Sequence, residues 1–535
     1  MKTFQSSGKT FLNEANQVVS KTAMEKYFPH ARDIDMSGQL DPITFRFNYL
    51  RHMLFSKYAK IDVASSSARK AKCLDKYLAC EAKCKTTNIY FKEKQYEGTK
   101  IHHLLMLTRK YINDILGPLT CDLFDRCTFG PGSSTRLPHP YVDAVFKLEG
   151  IPHCTSLLKD LLDRLNNPFK HVFPEYEIRE CAKYTTVPKN AVIDRPIEIQ
   201  PCLNMFLQKA LGNMIRERMK GLFSGASRPL NLNDQTLNQE LAKLGSMFGD
   251  LCTLDLSSAS DLISTNFVSY LIDDANWLAM LYASRVGIVE LECGRQLPLE
   301  KFSAMGNGYT WELQSLIFYS MVRACNEYHG CNQFVASVYG DDIICHRDVA
   351  DTLIEFLHAC GLSVNTDKSF LDGPFRESCG KHYYNGYDVT PCYMRKPLVT
   401  NQDIIAFHNR LFHWATQDGF KDIRCLDALA HLVSHLSCEP LRVPVGKGDI
   451  GIHTCGNDLP ESRWHLRKDG DPVALFRCYK VTRSKLTWPR IGALRKALLM
   501  GTMDESTASD VPFGIERSRI GKMPFTAIPT YGSWM

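Results

Sequence analysis

The sequence has no CxxC pair, no repeat of solenoid length, no low-complexity segment, and nowhere do about 18 apolar residues run without a charge. Zinc ribbons, repeat arrays and membrane-spanning helices are therefore not expected. Twenty cysteines are scattered over 535 residues without a framework. The nearest to metal-ligand spacing, Cys80 and Cys84, sits in a Lys-rich stretch without paired histidines, so we expect ordinary thiols in a reducing, cytosolic compartment. The opening MKTFQSSGKTFLNEANQ lacks the apolar stretch of a signal peptide, so secretion is not expected.

What is present is globular. Hydrophobic residues make up 44% and charged residues 23%, which supports folding by ordinary burial, and 535 residues predict two or three subdomains around a large core. The net charge of +6 is concentrated: from Glu461 to Met535 basic residues exceed acidic ones by six, leaving the rest of the chain neutral overall. Arg463 to Lys496 carries ten basic side chains against two acidic ones, with Trp464, Phe476, Tyr479 and Trp488 interleaved. Cations with aromatic faces suit a polyanion bearing stackable bases, and a solvated basic helical surface is the other reading.

Periodicity predicts a mostly helical N-terminal third, then an extended basic strand from Lys183 to Ile199 stiffened by Pro188 and Pro196. The middle third alternates strands and helices. Leu251 to Leu256 reads as a strand with Asp255 near its C-terminal end, followed by the cap-rich Ser257–Ser260. Phe334–Val338 and Ile343–Cys345 flank Tyr339-Gly340-Asp341-Asp342, where glycine can supply a hairpin's positive φ. Val349, Leu353, Phe356, Leu357 and Cys360 form one helical face stopping at Gly361, before a strand-like Leu362–Val364. This order predicts an α+β fold whose antiparallel sheet is backed by helices. From about Thr400 helical periodicity returns.

Asp255, Asp341 and Asp342 fall at a strand end and a hairpin tip of one sheet, and such a cluster cannot stay ionised without cations. Magnesium, which takes a few hard oxygen ligands and keeps room for phosphate oxygens, is the cation expected. Because successive strand side chains alternate faces, Asp255 and Asp341 are expected as principal ligands, with Asp342 a further ligand or a partner behind them. An acidic hairpin turn without a metal is the alternative for the triplet taken alone. Ser303, Gly306, Asn307 and Thr310 form a loop able to meet a ribose, or simply a helix entry. Lys183, Lys189 and Arg195 could meet triphosphate oxygens, or line an exposed β-ribbon.

In combination TLDLSSASDL, FSAMGNGYTWELQSLIF, VYGDDII, NTDKSF and FRESCGKHYY follow the order and rough spacing of polymerase palm motifs A to E. The chain resembles an RNA-directed RNA polymerase. More narrowly it is similar to the replicase β subunits of the single-stranded RNA bacteriophages (leviviruses), with TVPKN and LNDQTLNQELAKLGS as further matching stretches, over roughly Cys127 to Arg395.

The resemblance implies a right-hand fold: fingers at 1–203, palm at 204–261 and 302–400, a fingers insertion at 262–301, and thumb with the basic region at 401–535. It implies two Mg²⁺ ions, with Mn²⁺ a possible substitute, on Asp255, Asp341 and Asp342, and Lys368 protonating the leaving pyrophosphate. Lys189 and Arg195 match residues meeting the incoming triphosphate. Ser303, Gly306, Asn307 and Thr310 match the loop positioning template and ribose. Motif A departs from the wider pattern, with Ser260 five residues after Asp255 and Asp261 at six, so both are candidates for sensing the 2′-hydroxyl. Motif B carries Gln314 where many families have Asn. Arg463, Trp464, Arg483, Lys485 and Trp488 are expected along the thumb side of an RNA channel. Partners implied are a single-stranded RNA template, NTPs, the host elongation factors Tu and Ts and, for some templates, a large ribosomal protein, in the cytoplasm of an infected bacterium. Two rivals remain: a reverse transcriptase, which Gly340 and the SSASD form of motif A disfavour, and an inactive palm that only binds RNA, which the intact acids and Lys368 disfavour.

Overall fold

The computed structural model describes residues 18–454, apart from breaks at 32–33, 37, 59–62, 131, 138–143, 167, 190–192, 225–227, 418–421 and 447, and three further strands, Arg463–Leu466, Pro472–Phe476 and Thr530–Gly532. The fold is mixed helix and sheet. At its centre lies the helix Thr310–Tyr328, packed against the helices Lys100–Leu116, Cys202–Met219 and Arg347–Ala359 and the strand Ala336–Tyr339. In the sequence Leu313, Leu316, Ile317 and Ser320 predict one apolar face for this helix. The structure buries it nearly all round, polar Glu312, Gln314, Ser315 and Asn326 included, because neighbours surround it.

Three antiparallel strands lie against it in the order Leu251–Leu254, Asp342–His346, Ala336–Tyr339, with Thr253 opposite Ile344 and Val338 opposite Ile343. Ile344 and Val338 are buried, as expected of strands covered on both faces. The helix Arg347–Ala359 ends as its periodicity predicts. Gly361 takes φ +82°, and a Cβ there would fall 2.1 Å from Thr87 Oγ1, so the stop also lets the long helix Val63–Lys92 approach. Leu362–Val364 does not form the expected strand. Only Val364 bridges, to Leu256, before the chain turns to bring Asn365 against Asp255.

The expected extended strand Lys183–Ile199 is instead two strands, Ala182–Pro188 and Asp194–Ile199, folded into an antiparallel ribbon that pairs onward with Ile288–Glu290 and Gln296–Pro298. A last small sheet comprises Phe375–Ser378, Lys381–Tyr384 and Tyr387–Asp388.

The span 1–203 is divided between cores. The large core surrounds the central helix, whereas Val19, Met24, Phe28, Leu50 and Leu54 join residues of 392–452 in a second one. Between them, Phe45 and Tyr49 of the helix Pro42–Met53 pack on Phe375 and Tyr384, with Phe45 stacked 3.8 Å over Tyr384. Full burial of such an aromatic contributes roughly 1.5–3 kcal/mol, so this layer ties the N-terminal helix to the small sheet. Beyond 434 the expected helices give way to short strands: Arg442–Pro444 pairs with Ile452–Thr454, and Arg463–Leu466 with Pro472–Phe476. Among the described residues, Cys80 and Cys84 are buried free thiols, and no helix is long and apolar enough to cross a membrane.

Candidate active site

Asp255 follows directly on the strand Leu251–Leu254, and Asp342 opens the partner strand, so the ladder ends where both begin. The segment after the Arg347–Ala359 helix fixes Asp255. Asn365 Nδ2 donates to Oδ2 at 2.7 Å, Asn365 N donates to the Asp255 carbonyl at 2.8 Å, and Asp255 N donates to Ser369 Oγ at 3.1 Å. The other two acids hang on a two-residue turn. Gly340 adopts φ +69°, and a Cβ would meet Trp311 Nε1 at 2.4 Å, so both backbone and space require glycine. Its N–H donates to Ser315 Oγ at 3.1 Å, which anchors the turn to the central helix.

These carboxylates are electrostatically uncomfortable. Burial raises the pKa of Asp255, repulsion from Asp341 adds to it, and Asn365 and Lys368 oppose it. Asp342 is pushed up to about 7 by burial, then by Asp341 and, less, Asp255. Asp341 itself is exposed at the tip. Among the described residues no three His, Cys, Asp or Glu side chains are gathered as a ready-made metal cage. The aspartates feel one another's charge without converging. Few carboxylate oxygens, open to water and to a substrate's phosphates, match what Mg²⁺ takes, and a cation would relieve the repulsion, so the donors present fit that ion.

Cations ring the acids. Lys368 Nζ lies 3.6 Å from Glu377 Oε1; against the cost of burial, Glu377, Asp255 and Asp342 raise its pKa. Lys189 and Arg195 sit at the turn end of the ribbon, where Val187 pairs with Arg195. Partial burial lowers the Lys189 pKa, Arg195 and Lys368 lower it further, and Asp255 opposes them. Sequence reasoning missed Lys57 and Arg395. Lys57 stands 3.7 Å over the Tyr393 ring, and its pKa is lowered by burial, then by Arg395, Lys368 and Arg195. Nothing local distinguishes Lys57 from other N-terminal lysines; only folding brings it to this ring.

The loop before the central helix is tightly determined. Gly306, at φ +114°, packs so that a Cβ would fall 2.0 Å from the Glu198 carbonyl oxygen, and Glu198 N donates to the Met305 carbonyl at 2.8 Å. Asn307 Oδ1 accepts from Tyr309 N at 3.0 Å. Thr310 Oγ1 donates to the Ala304 carbonyl at 2.9 Å, so this hydroxyl closes the loop rather than donating to a ribose. Ser303 is 4% exposed, and its buried hydroxyl has no protein partner.

Of the two motif A candidates, Ser260 keeps partial solvent access whereas Asp261 is 5% exposed. Asp261 Oδ1 lies 2.9 Å from the fully buried Lys301 Nζ, which also stands 3.4 Å from Glu81 and 3.4 Å from Glu198 and 3.5 Å over the Tyr77 ring. The Asp261 carboxylate is thus committed to an internal ion cluster, which its position in a cap-rich stretch does not reveal. Arg463 and Trp464 lie on a strand, not a helical surface, and Arg483, Lys485 and Trp488 lie outside the described residues.

Residues 10–442 match the family model described as RNA replicase, beta-chain. The chain is 36% identical over 430 residues to the RNA-directed RNA polymerase subunit beta of Qbeta virus (strain MX1), covering 78% of this chain and 71% of that one. It is 35% identical over 432 residues to the corresponding subunit of Enterobacteria phage SP, covering 77% and 72%. Against the RNA-directed RNA polymerase beta chain of Escherichia phage MS2 it is 37% identical over 338 residues, 61% of this chain and 60% of the other. Among solved structures, the BmCPV RNA-dependent RNA polymerase at elongation state aligns with TM-score 0.39 and 12% identity, over 62% of this chain and 32% of the longer one.

Proposed function

The chain belongs to the RNA replicase β-chain family, and from that premise we propose that it is an RNA-directed RNA polymerase replicating a single-stranded RNA phage genome. The 3′-hydroxyl of the growing RNA attacks the α-phosphate of an NTP, a new phosphodiester forms, and the bond to pyrophosphate breaks. The observation that carries this reading is the acid cluster itself: burial and mutual repulsion hold Asp255 and Asp342 at raised pKa, beside Lys368, Lys189 and Arg195.

Asp255 and Asp341, with Asp342 behind them, would hold two Mg²⁺ ions, or Mn²⁺ in their place. Such ions supply a lowered pKa at the attacking hydroxyl and charge neutralisation at the leaving oxygens. The chain's own groups do the rest. Lys189 and Arg195 grip the triphosphate, and Lys368 gives its proton to the leaving pyrophosphate oxygen. Ser260, which keeps solvent access, is the better placed reader of the 2′-hydroxyl. Ser303, Gly306 and Asn307 shape the floor on which ribose and template rest.

In the same reading the aspartate sheet and its helices are the palm, the ribbon belongs to the fingers together with 262–301, and residues from 401 onward form the thumb, to which 19–55 are packed. Host elongation factors Tu and Ts, and for some templates a large ribosomal protein, complete the enzyme in the cytoplasm of an infected bacterium.

Incorporation of radiolabelled NTP on a single-stranded RNA with Mg²⁺, with and without the elongation factors, tests this. Wild type should incorporate NTPs and not dNTPs, and Asp341→Asn should lose at least about 10³-fold, some 4 kcal/mol of transition-state stabilisation. Near-wild-type incorporation by Asp341→Asn would remove Asp341 from the site. A folded wild type that binds RNA yet stays silent with both factors would favour a binding protein.

A further inference from the structure

We propose that Glu377 is a positioning residue for the reaction, holding the Lys368 ammonium over the aspartates, and that a buried His382–Tyr49 pair fixes Glu377 from behind. The inference rests on the reading of Lys368 as proton donor. Glu377 and His382 are directly opposite on the antiparallel strands Phe375–Ser378 and Lys381–Tyr384, which puts both side chains on one face. The connecting turn uses Cys379 at φ +49° and Gly380 at φ +73°.

A continuous line of contacts then runs from the N-terminal helix to the cleft. Tyr49 Oη lies 2.7 Å from His382 Nδ1, His382 Nε2 lies 3.5 Å from Glu377 Oε1, and the same oxygen lies 3.6 Å from Lys368 Nζ. Tyr49 is 4% exposed and His382 2%. Burial disfavours the charged imidazole and lowers its pKa, and the neutral ring carries a single proton. The partners decide where it goes: Tyr49 O–H donates to Nδ1, leaving the Nε2 proton to face the Glu377 carboxylate.

An exposed Lys–Glu pair is ordinarily worth little, because two long side chains lose rotamer freedom to meet. Here the carboxylate belongs to a paired strand residue and faces a buried imidazole across the ladder, so Lys368 meets a partner already placed from behind. The backbone at Lys368 is fixed as well, its N–H donating to the Asn365 carbonyl at 3.1 Å, next to the contacts that hold Asp255. Both ends of the lysine are tied to elements that also hold the acid cluster, so the ammonium's place is set relative to the reacting phosphates.

The test is single-nucleotide incorporation by the full chain in its active complex, measured by rapid quench, in a cycle of Glu377→Gln, Lys368→Leu and the double variant. Glu377→Gln should lower the maximal rate about tenfold, part of the roughly 10²–10⁴-fold that a general acid supplies, while the NTP concentration at half-maximal rate stays within about twofold. In the Lys368→Leu background the same change should have no further effect. Tyr49→Phe, which deletes one hydroxyl, should slow the rate about twofold with the same split, and covers the case in which Glu377→Gln fails to fold. A slow Lys368→Leu beside a wild-type-rate Glu377→Gln, or an equal Glu377→Gln effect in both backgrounds, would overturn the positioning role alone. A wild-type rate in Lys368→Leu would overturn the proton-donor reading beneath it.

Discussion

Two groups of three carboxylates lie in this molecule and are treated in opposite ways. Glu81, Glu198 and Asp261 surround the buried Lys301, whose ammonium is held charged by them against the cost of its burial. Tyr77 Oη donates to Glu198 at 2.6 Å, and Glu300 N donates to Glu81 at 2.6 Å, so the group is largely satisfied from within. Asp255 and Asp342 have Lys368 beside them, but that lysine is already paired with Glu377, and Lys189 is drawn on by Asp255 without an ion pair to it among the described residues. The difference separates architecture from chemistry. The first cluster joins the long helix, the ribbon, the turn that ends at Asp261 and the segment leading into the loop before the central helix; the second is left to be completed by what binds.

Exchanging one residue in each cluster should break the symmetry most visibly. Lys301→Met strips three buried carboxylates of their cation and should cost about 3–5 kcal/mol in urea unfolding. Asp255→Asn removes repulsion and should leave stability within about 1 kcal/mol of wild type, or above it, while incorporation collapses. Equal losses of stability from the two changes would mean that the catalytic cluster is as structural as the other.

A smaller effect sharpens the same contrast through pH. With a folded pKa of about 7, set by burial and Asp341, Asp342 binds its proton more tightly folded than unfolded. Its ionisation therefore costs stability, a cost absent below the unfolded value near 4 and complete above about 7. Added Mg²⁺ should thus raise the melting temperature more at pH 8 than at pH 5.5, by about 2–4 °C, and Asp342→Asn should shrink that difference. A Mg²⁺ response independent of pH would detach the ion from these acids. The Lys301 cluster predicts none, having its own cation.

These two clusters also mark what a sequence can disclose. Asp341 and Asp342 are legible because a two-residue hairpin needs Gly340 beside them, and the stop at Gly361 is legible because the helix period ends there. The commitment of Asp261 is not, since Glu81, Glu198 and Lys301 come from three other stretches of chain whose meeting depends on the packing of the long helix against the ribbon. The same holds for Tyr49 and His382, 333 residues apart, and for Lys57 over Tyr393. The ribbon of Lys183–Ile199 is legible only as an alternative, because two prolines that stiffen a single strand also suit the two arms of a hairpin. Side chains that act with sequence neighbours announce themselves; those that act across the core do not.

The smallest expected effect extends the comparison to cations. Lys301 is surrounded by carboxylates, whereas Arg463 to Lys496 carries ten basic residues and two acidic ones, too few for local neutralisation. If that charge is left for RNA as the aspartates are left for metal, reversing Arg483 and Lys485 to Glu should remove two phosphate contacts. For single-stranded RNA each contact contributes about 0.7 to the slope of log affinity against log salt, so the slope should flatten by roughly 1.4. Folding and the Mg²⁺ response should be untouched. An unchanged affinity and slope would assign these cations to a solvated surface, and then only the aspartates would remain as charge set aside for a ligand.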